Sequence, residues 1–331
     1  MFDVVLVSLY VDDMIYTGSS MQLIEEFKTS MMSKFEMTDM GKLSYFLGLE
    51  VKQSNKGIFV SQQKYAVDLL KQVGMIHCKP DSTPMNVNEK LTAEDGSGLA
   101  DARRYRSIVG RLIYLTHTRP DLSFAVGLLS RFMHHPTKHH FGAAKRVLRY
   151  VAGTKNLGVW YVKNEEFFLT GYTDSDWAGS QDDRKSTSGN CFVLGSGPIA
   201  WGSKKQATVA LSSTEAEYVA ATTAACQAIW LRRLLKDLNQ QQVQATRVFC
   251  DNVSAVALTK NPVMHGRTKH IEIKHHFIRE LVAEGEIKLE VCKSEDQLAD
   301  ILTKALSPTK FEDMRNRLFI TSFESREDVE E

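Results

Sequence analysis

The sequence predicts a multi-domain protein of mixed α/β and α+β class, and three observations lead to this prediction. The chain has 331 residues, which is more than a single hydrophobic core usually organises. Its middle part carries apolar residues at helical spacing. Its C-terminal half reads as β-β-β-α-β-α-β-α, which predicts a mixed five-stranded sheet with helices.

Composition and the first residues exclude two classes of protein. With 43% hydrophobic and 24% charged residues, and without a long apolar run, the chain is expected to have no membrane span. The first residues enter an apolar strand with no secretory signal, so we expect an intracellular protein of the cytoplasm or nucleus. The five cysteines contain no C-x-x-C pair, which argues against a disulfide framework and a thiolate zinc site.

A hairpin with two adjacent aspartates opens the chain. Residues 4–11 are apolar and β-prone, Asp12 and Asp13 interrupt them, and residues 14–16 resume the strand. We therefore predict a buried hairpin. Its two aspartates either form the turn, because Asp favours tight connections, or bind a metal ion.

The motif Tyr10-Val11-Asp12-Asp13 resembles the palm signature of reverse transcriptases from copia-type LTR retrotransposons. The resemblance extends along the chain. Residues 43–51 and 57–62, followed by a helix over residues 64–73, are similar to the primer-grip hairpin of that family.

This resemblance implies that residues 1–78 form a partial palm. Asp12 and Asp13 would then be metal ligands of an incomplete polymerase site, because the family's palm needs another aspartate from an earlier strand. Only nine residues precede Tyr10, so we expect no polymerisation by this chain alone. The alternative is a subunit whose palm is completed by a fuller reverse transcriptase chain.

Basic helices follow a turn-rich stretch. Residues 79–104 are polar and predict a linker. Residues 105–163 predict a helical region similar to a thumb or connection. Three basic side chains lie on the polar faces of its third helix: Lys145, Arg146 and Arg149. They either clamp phosphates or are ordinary solvated residues, and the similarity of residues 105–110 and 118–121 to the retrotransposon thumb favours the clamp.

The strand order of the C-terminal part is that of the RNase H fold. The strands are predicted over residues 167–176, 186–194, 199–205, 248–251 and 286–292, with a last helix over residues 294–306. Four motifs resemble the RNase H domain of the same polyproteins: residues 171–179, 211–218, 267–271 and 298–304. The resemblance implies an RNase H-like domain over residues 164–310, followed by an acidic tail over residues 311–331 whose end we expect to be disordered.

Two pairs of acidic residues compete for places in the site of this domain. Asp174 and Asp176 lie two apart on a strand and therefore point to the same face, and the resemblance selects Asp174. Glu215 fits a capping box in which it accepts from the backbone N–H of Ser212. Glu217 shares a helical stripe with small alanines, so its carboxylate is predicted to be buried and compensated by a metal ion.

Two further carboxylates are assigned by the resemblance. Asp251 follows the fourth strand, where it could also cap the next helix. Asp300 is placed on the polar side of the predicted last helix with Gln297 and Lys304, where it could be a solvated residue in an i, i+4 pair.

The resemblance thus implies a catalytic and metal-binding set of Asp174, Glu217, Asp251 and Asp300. Carboxylates suit Mg²⁺, with Mn²⁺ as a substitute, and two such ions can activate a water molecule and stabilise the leaving oxygen. We predict endonucleolytic hydrolysis of the RNA strand of RNA–DNA hybrids. The alternative is a non-catalytic, nucleic-acid-binding transposon relic.

Strand ends near this set offer candidate contacts to the hybrid. Hydroxyl, amide and amine groups at a strand edge can meet phosphates and 2′-hydroxyls. The candidates are Ser186, Thr187, Ser188, Lys204, Lys205 and Gln206.

Overall fold

The computed structural model describes residues 3–163, 167–260 and 277–323. The chain divides into two compact units, Met1–Leu47 and Gly48–Glu331. Among the described residues, no helix combines the length and the apolar character that a membrane crossing requires. The class is mixed α/β, as predicted from the sequence.

The first unit is a hairpin followed by a helix. Strands β1 (Val5–Tyr10) and β2 (Asp13–Gly18) pair antiparallel, and the helix α1 (Met21–Lys34) and the short strand β3 (Tyr45–Phe46) follow. The hairpin itself is confirmed, but the prediction that it is buried is wrong. No described residue of this unit is buried, because a two-stranded hairpin and one helix are too little chain to enclose a core.

Four strands of the second unit form an antiparallel sheet in the order β12-β6-β5-β4. They are β4 (Leu49–Ser54), β5 (Gly57–Ser61), β6 (Leu157–Val162) and β12 (Ile320–Ser322). The hairpin β4–β5 and the helix α2 (Gln63–Gln72) that follows it were both predicted. The pairing of β5 with β6 joins residues about a hundred positions apart in the sequence, a long-range contact that periodicity does not reveal.

A helical bundle follows α2. It consists of α3 (Ala102–Leu115), α4 (Ser123–Ser130) and α5 (Lys138–Gly153). The apolar stripe predicted on α3 is buried in the core of the bundle, and the side chain of Asp101 caps this helix by accepting from the backbone N–H of Arg104 at 3.0 Å.

A second sheet forms the C-terminal part. Its strands are β7 (Leu169–Ser175), β8 (Thr187–Leu194), β9 (Gly197–Lys205), β10 (Thr246–Cys250) and β11 (Ile287–Val291). The order is β11-β10-β7-β8-β9: β7, β8 and β9 are antiparallel, whereas β10 is parallel to both β7 and β11. The predicted mixed five-stranded sheet is therefore confirmed.

The two faces of this sheet are covered differently. One face packs against α6 (Ser213–Asp237), whose buried alanines bring the helix close to the strands. The helices α7 (Val253–Lys260) and α8 (residues 277–283) belong to the same core. The other face shares a core with the helical bundle, because Cys191 of β8 is buried together with the bundle's apolar side chains.

The predicted linker over residues 79–104 packs against the bundle. Met85 and Leu91 are buried in its core, at 2% and 6% exposure. The predicted boundaries near residues 78, 104, 163 and 310 all fall inside the compact unit Gly48–Glu331. The functional division that they describe stays a prediction.

Two predictions about the C-terminus are wrong. The last helix over residues 294–306 is only a 3-10 turn, Leu298–Leu302, because all five of its residues are buried and none can form the solvated face of a longer helix. Residues 311–323 are not a tail. The helix α9 (Pro308–Arg317) buries Phe311 and Met314, and the chain then continues into β12.

Candidate active site

Carboxylates from distant parts of the sequence meet at one edge of the second sheet. Asp174, Asp251 and Asp300 each present an oxygen atom, and these atoms lie within 4.8 Å of one another. Glu217, Cys250 and Asp251 form a second group of three, whose ligand atoms also lie within 4.8 Å of one another. Asp251 belongs to both groups, so the four predicted acidic residues form one cluster.

Strand topology explains the convergence of the first two. Asp174 lies near the end of β7, Asp251 directly follows β10, and these strands run parallel. The carboxyl ends of parallel strands lie at the same edge of a sheet, so the two side chains are brought together there.

Glu217 reaches the cluster from the second turn of α6. Its Oε1 accepts a hydrogen bond from the backbone N–H of Ser175 at 3.2 Å, and its Oε2 lies 3.7 Å from Sγ of Cys250. The side chain is buried at 5% exposure, as predicted from its alanine stripe. A backbone donor on β7 therefore fixes its orientation.

The residues that cap α6 and α7 differ in part from those predicted. Ser212 caps α6 by accepting from the N–H of Glu215 at 3.1 Å, but the Glu215 carboxylate accepts from Leu211, one residue earlier than predicted. The cap of α7 is Asn252, whose side chain accepts from Ala255 at 2.9 Å. Capping is therefore not the role of Asp251, whose Oδ2 instead accepts from the Ser294 hydroxyl at 3.2 Å.

Asp300 is not a solvated residue. It is 1% exposed, because the 3-10 turn packs directly against β7 and β8. The predicted i, i+4 pair is present, with Lys304 Nζ 2.8 Å from Oδ1. Lys310 Nζ lies 2.6 Å from Oδ2. Lys310 was not anticipated, because it lies on the next helix and no local pattern connects it with Asp300.

Burial and crowding raise the pKa values of two members of the cluster. Burial raises the pKa of Asp174 to about 6, with the nearby Asp300 adding to the shift. Burial, followed by the charges of Asp174 and Asp251, raises the pKa of Glu217 to about 9. The carboxylates in turn raise the pKa of Lys304 against the opposing effect of its burial. The cluster is thus negatively charged, crowded and only partly neutralised by ammonium groups.

Asp176 lies outside this cluster. Its Oδ1 accepts a hydrogen bond from the backbone N–H of Thr187, and Arg131 lies near enough to offset its charge. Among the described residues, neither group of potential metal ligands contains it. The geometry therefore agrees with the choice of Asp174 over Asp176.

Comparisons with known proteins place the chain in a family. A family model for reverse transcriptase (RNA-dependent DNA polymerase) matches residues 2–87. The chain is 43% identical over 318 residues to the retrovirus-related Pol polyprotein from transposon RE1 of Arabidopsis thaliana, covering 96% of this chain and 22% of that protein. It is 34% identical to the putative transposon Ty5-1 protein of Saccharomyces cerevisiae, covering 65% of this chain and 71% of that protein.

The chain belongs to the copia-type retrotransposon Pol polyproteins. It spans about a fifth of the length of the RE1 polyprotein. The foamy viral protease-reverse transcriptase in complex with double-stranded DNA has a similar fold, with a TM-score of 0.53 and 15% identity over 87% of this chain and 55% of that chain. At this identity, the similarity concerns the fold alone.

Most of the predicted hybrid contacts of this Pol fragment are buried. Ser186, Thr187, Ser188 and Gln206 are at most 7% exposed, so they offer little surface to a nucleic acid, and their contact with the hybrid stays a prediction. Gln206 donates from Nε2 to Ser188 and to the backbone of α6.

The remaining predicted basic contacts differ in their exposure. Lys204 and Lys145 are exposed. Lys205 pairs with Asp183 at 2.7 Å. Arg146 and Arg149 of α5 both pair with the carboxylate of Asp81, at 3.2 and 2.5 Å. These ion pairs hold the segment that precedes the bundle against α5. Contacts of these residues with nucleic acid stay a prediction.

The polymerase motif of the family is exposed. Asp12 and Asp13 lie at the turn of the β1–β2 hairpin, where Val11 adopts a positive φ of 52°. Neither group of potential metal ligands found among the described residues includes either aspartate. The third RNase H motif, residues 267–271, lies outside the described residues.

Proposed function

We propose that the second unit is a divalent-cation-dependent ribonuclease that cuts the RNA strand of RNA–DNA hybrids by endonucleolytic hydrolysis. The single observation that carries the proposal is the convergence of Asp174, Glu217, Asp251 and Asp300 at one sheet edge. The match of residues 2–87 to a reverse transcriptase (RNA-dependent DNA polymerase) family supports it, because copying RNA into DNA produces an RNA–DNA hybrid.

The donor set suits Mg²⁺ or Mn²⁺. The four side chains offer hard carboxylate oxygens, at least two of them buried to about 1% exposure, and buried carboxylates require compensation by positive charge. When bound, the ions would supply an activated water and charge stabilisation at the leaving oxygen. The two expected ions would be held by Asp174, Glu217, Asp251 and Asp300.

The rest of the site keeps these carboxylates in place. The Thr303 hydroxyl donates to Asp174, and the backbone N–H of Ser175 donates to Glu217. Gln297, fully buried, donates to the backbone carbonyl of Thr173 at 2.9 Å and so ties the 3-10 turn to β7. Such fixed partners reduce the reorganisation that the reaction requires.

The test is cleavage of an end-labelled RNA–DNA hybrid in Mg²⁺, with RNA and DNA duplexes of the same sequence as substrate controls. Glu217→Gln and Asp251→Asn should each lower the rate at least about 100-fold, because each removes a cation ligand worth several kcal/mol. Asp176→Asn, which changes a carboxylate that directly follows β7 and lies outside the cluster, is the matched control and should retain most of the activity. Wild-type cleavage no faster than that of the two ligand variants would refute the proposal in favour of a non-catalytic relic.

A further inference from the structure

Lys304 lies inside the carboxylate cluster. Its ammonium is 2.8 Å from Oδ1 of Asp300 and 3.5 Å from Oδ2 of Asp174. These two aspartates also belong to the group whose oxygen atoms lie within 4.8 Å of one another. A single ammonium therefore bridges two of the residues that would hold a divalent cation.

The two sides of this bridge differ in mobility. The side chains of Asp174 and Asp300 are at most 2% exposed and are held by packing and by hydrogen bonds. The side chain of Lys304 is 42% exposed and is long and flexible. The ammonium can therefore leave toward solvent, whereas the carboxylates stay where they are.

We propose that Lys304 is an exchangeable counter-ion of the cluster, whose ammonium occupies the bridging position when divalent cations are absent and leaves it when they bind. The inference rests on the proposed function, because it concerns the same carboxylates. A divalent cation held by Asp174 and Asp300 would share these two carboxylates with the ammonium of Lys304. Two positive charges so close, in a site with little water, repel each other strongly.

Lys310 has a different position. Its ammonium contacts Asp300 alone among the acidic residues of the cluster, and it also donates to the backbone carbonyl of Ser294 at 3.3 Å. It thus connects α9 with the segment before the 3-10 turn. Its removal should affect cation binding less than removal of Lys304, which bridges two carboxylates.

The experiment measures Mn²⁺ binding to the full chain by the electron paramagnetic resonance signal of the free ion. Lys304→Met keeps the length of the side chain and removes its charge, and it should bind Mn²⁺ at least about 10-fold more tightly than the wild type. Lys310→Met should show a smaller gain. Lys288→Met, an exposed lysine on β11 that pairs with Glu290, is the matched control and should differ from the wild type by less than about twofold.

A second measurement separates exchange from simple structural pairing. Without divalent cations, Lys304→Met should melt at a lower temperature than the wild type, because two buried carboxylates lose their counter-ion. Saturating Mn²⁺ should remove or reverse this difference. If Lys304→Met does not fold, Lys304→Gln replaces it, since the amide is neutral and still able to donate.

The outcomes distinguish this inference from the proposed function. Mn²⁺ binding by the wild type with equal or weaker affinity in the Lys304 variants, together with hybrid cleavage, would overturn only the exchange. Absence of Mn²⁺ binding in both the wild type and the variants would overturn the exchange and the cation-dependent chemistry together.

Discussion

Raising the pH in the absence of divalent cations should destabilise the second unit through Glu217. The folded-state pKa of this carboxyl is about 9 and its ordinary value is 4.5. A raised pKa means that the folded chain binds the proton more tightly than the unfolded chain. The stabilisation is therefore complete below about pH 4.5 and is lost as the pH rises toward 9.

The magnitude follows from linkage. Between pH 6.5 and 8 the carboxyl is protonated in the folded chain and ionised in the unfolded chain, so the free energy of unfolding should fall by about 1.4 kcal/mol per pH unit. Over that window the loss is about 2 kcal/mol. Asp174, with a pKa of about 6, adds to the slope mainly below the window.

The assay is urea unfolding in EDTA at several pH values, followed by tryptophan fluorescence. The tryptophans are residues 160, 177, 201 and 230, so the signal reports on the second unit alone. Glu217→Gln replaces the protonated carboxyl by a neutral amide of the same shape and should remove about 1.4 kcal/mol per pH unit from the slope. Glu215→Gln, two residues away and outside the cluster, should keep the wild-type slope. Identical slopes for Glu217→Gln and the wild type would refute this reasoning.

Three further outcomes can be checked. Arg119→Met should lower the free energy of unfolding, measured in urea, by about 3–5 kcal/mol. The reason is that Asp121, which is 1% exposed, loses a bidentate partner whose two hydrogen bonds measure 2.7 and 2.9 Å. A loss below about 1 kcal/mol would contradict this. Asn252→Ala should cost about 1 kcal/mol through loss of the α7 cap, and an unchanged urea midpoint would assign the cap elsewhere. Primer extension on an RNA template by this chain alone should give no product, as the family resemblance of the Asp12-Asp13 motif implies, and any templated extension would show that expectation to be wrong.

Local sequence patterns predicted the elements of the fold well. The three antiparallel strands, the β4–β5 hairpin and the amphipathic helices all have short-range signatures, because alternation and helical periodicity record which side of an element is buried. The same reasoning placed Glu217 in the interior from its alanine neighbours. These predictions needed no knowledge of what packs against the element.

The wrong predictions concern elements whose burial depends on parts of the chain that are distant in sequence. The β1–β2 hairpin is as apolar as a core strand, yet Leu9 is 66% exposed. The 3-10 turn around Asp300 has polar residues at helical spacing, yet it is buried on all sides. A sequence pattern describes one element, whereas exposure is decided by whichever other elements cover it.

The sequence by itself determined which carboxylates end strands or begin helices, and therefore which of them could share a sheet edge. Only the tertiary structure decided that Asp300 is buried, that Asn252 rather than Asp251 caps α7, and that Lys304 and Lys310 enter the cluster. The physical reason is range: hydrogen-bond and periodicity signals act over a few residues, whereas the charge balance of a buried site depends on side chains that only folding brings together.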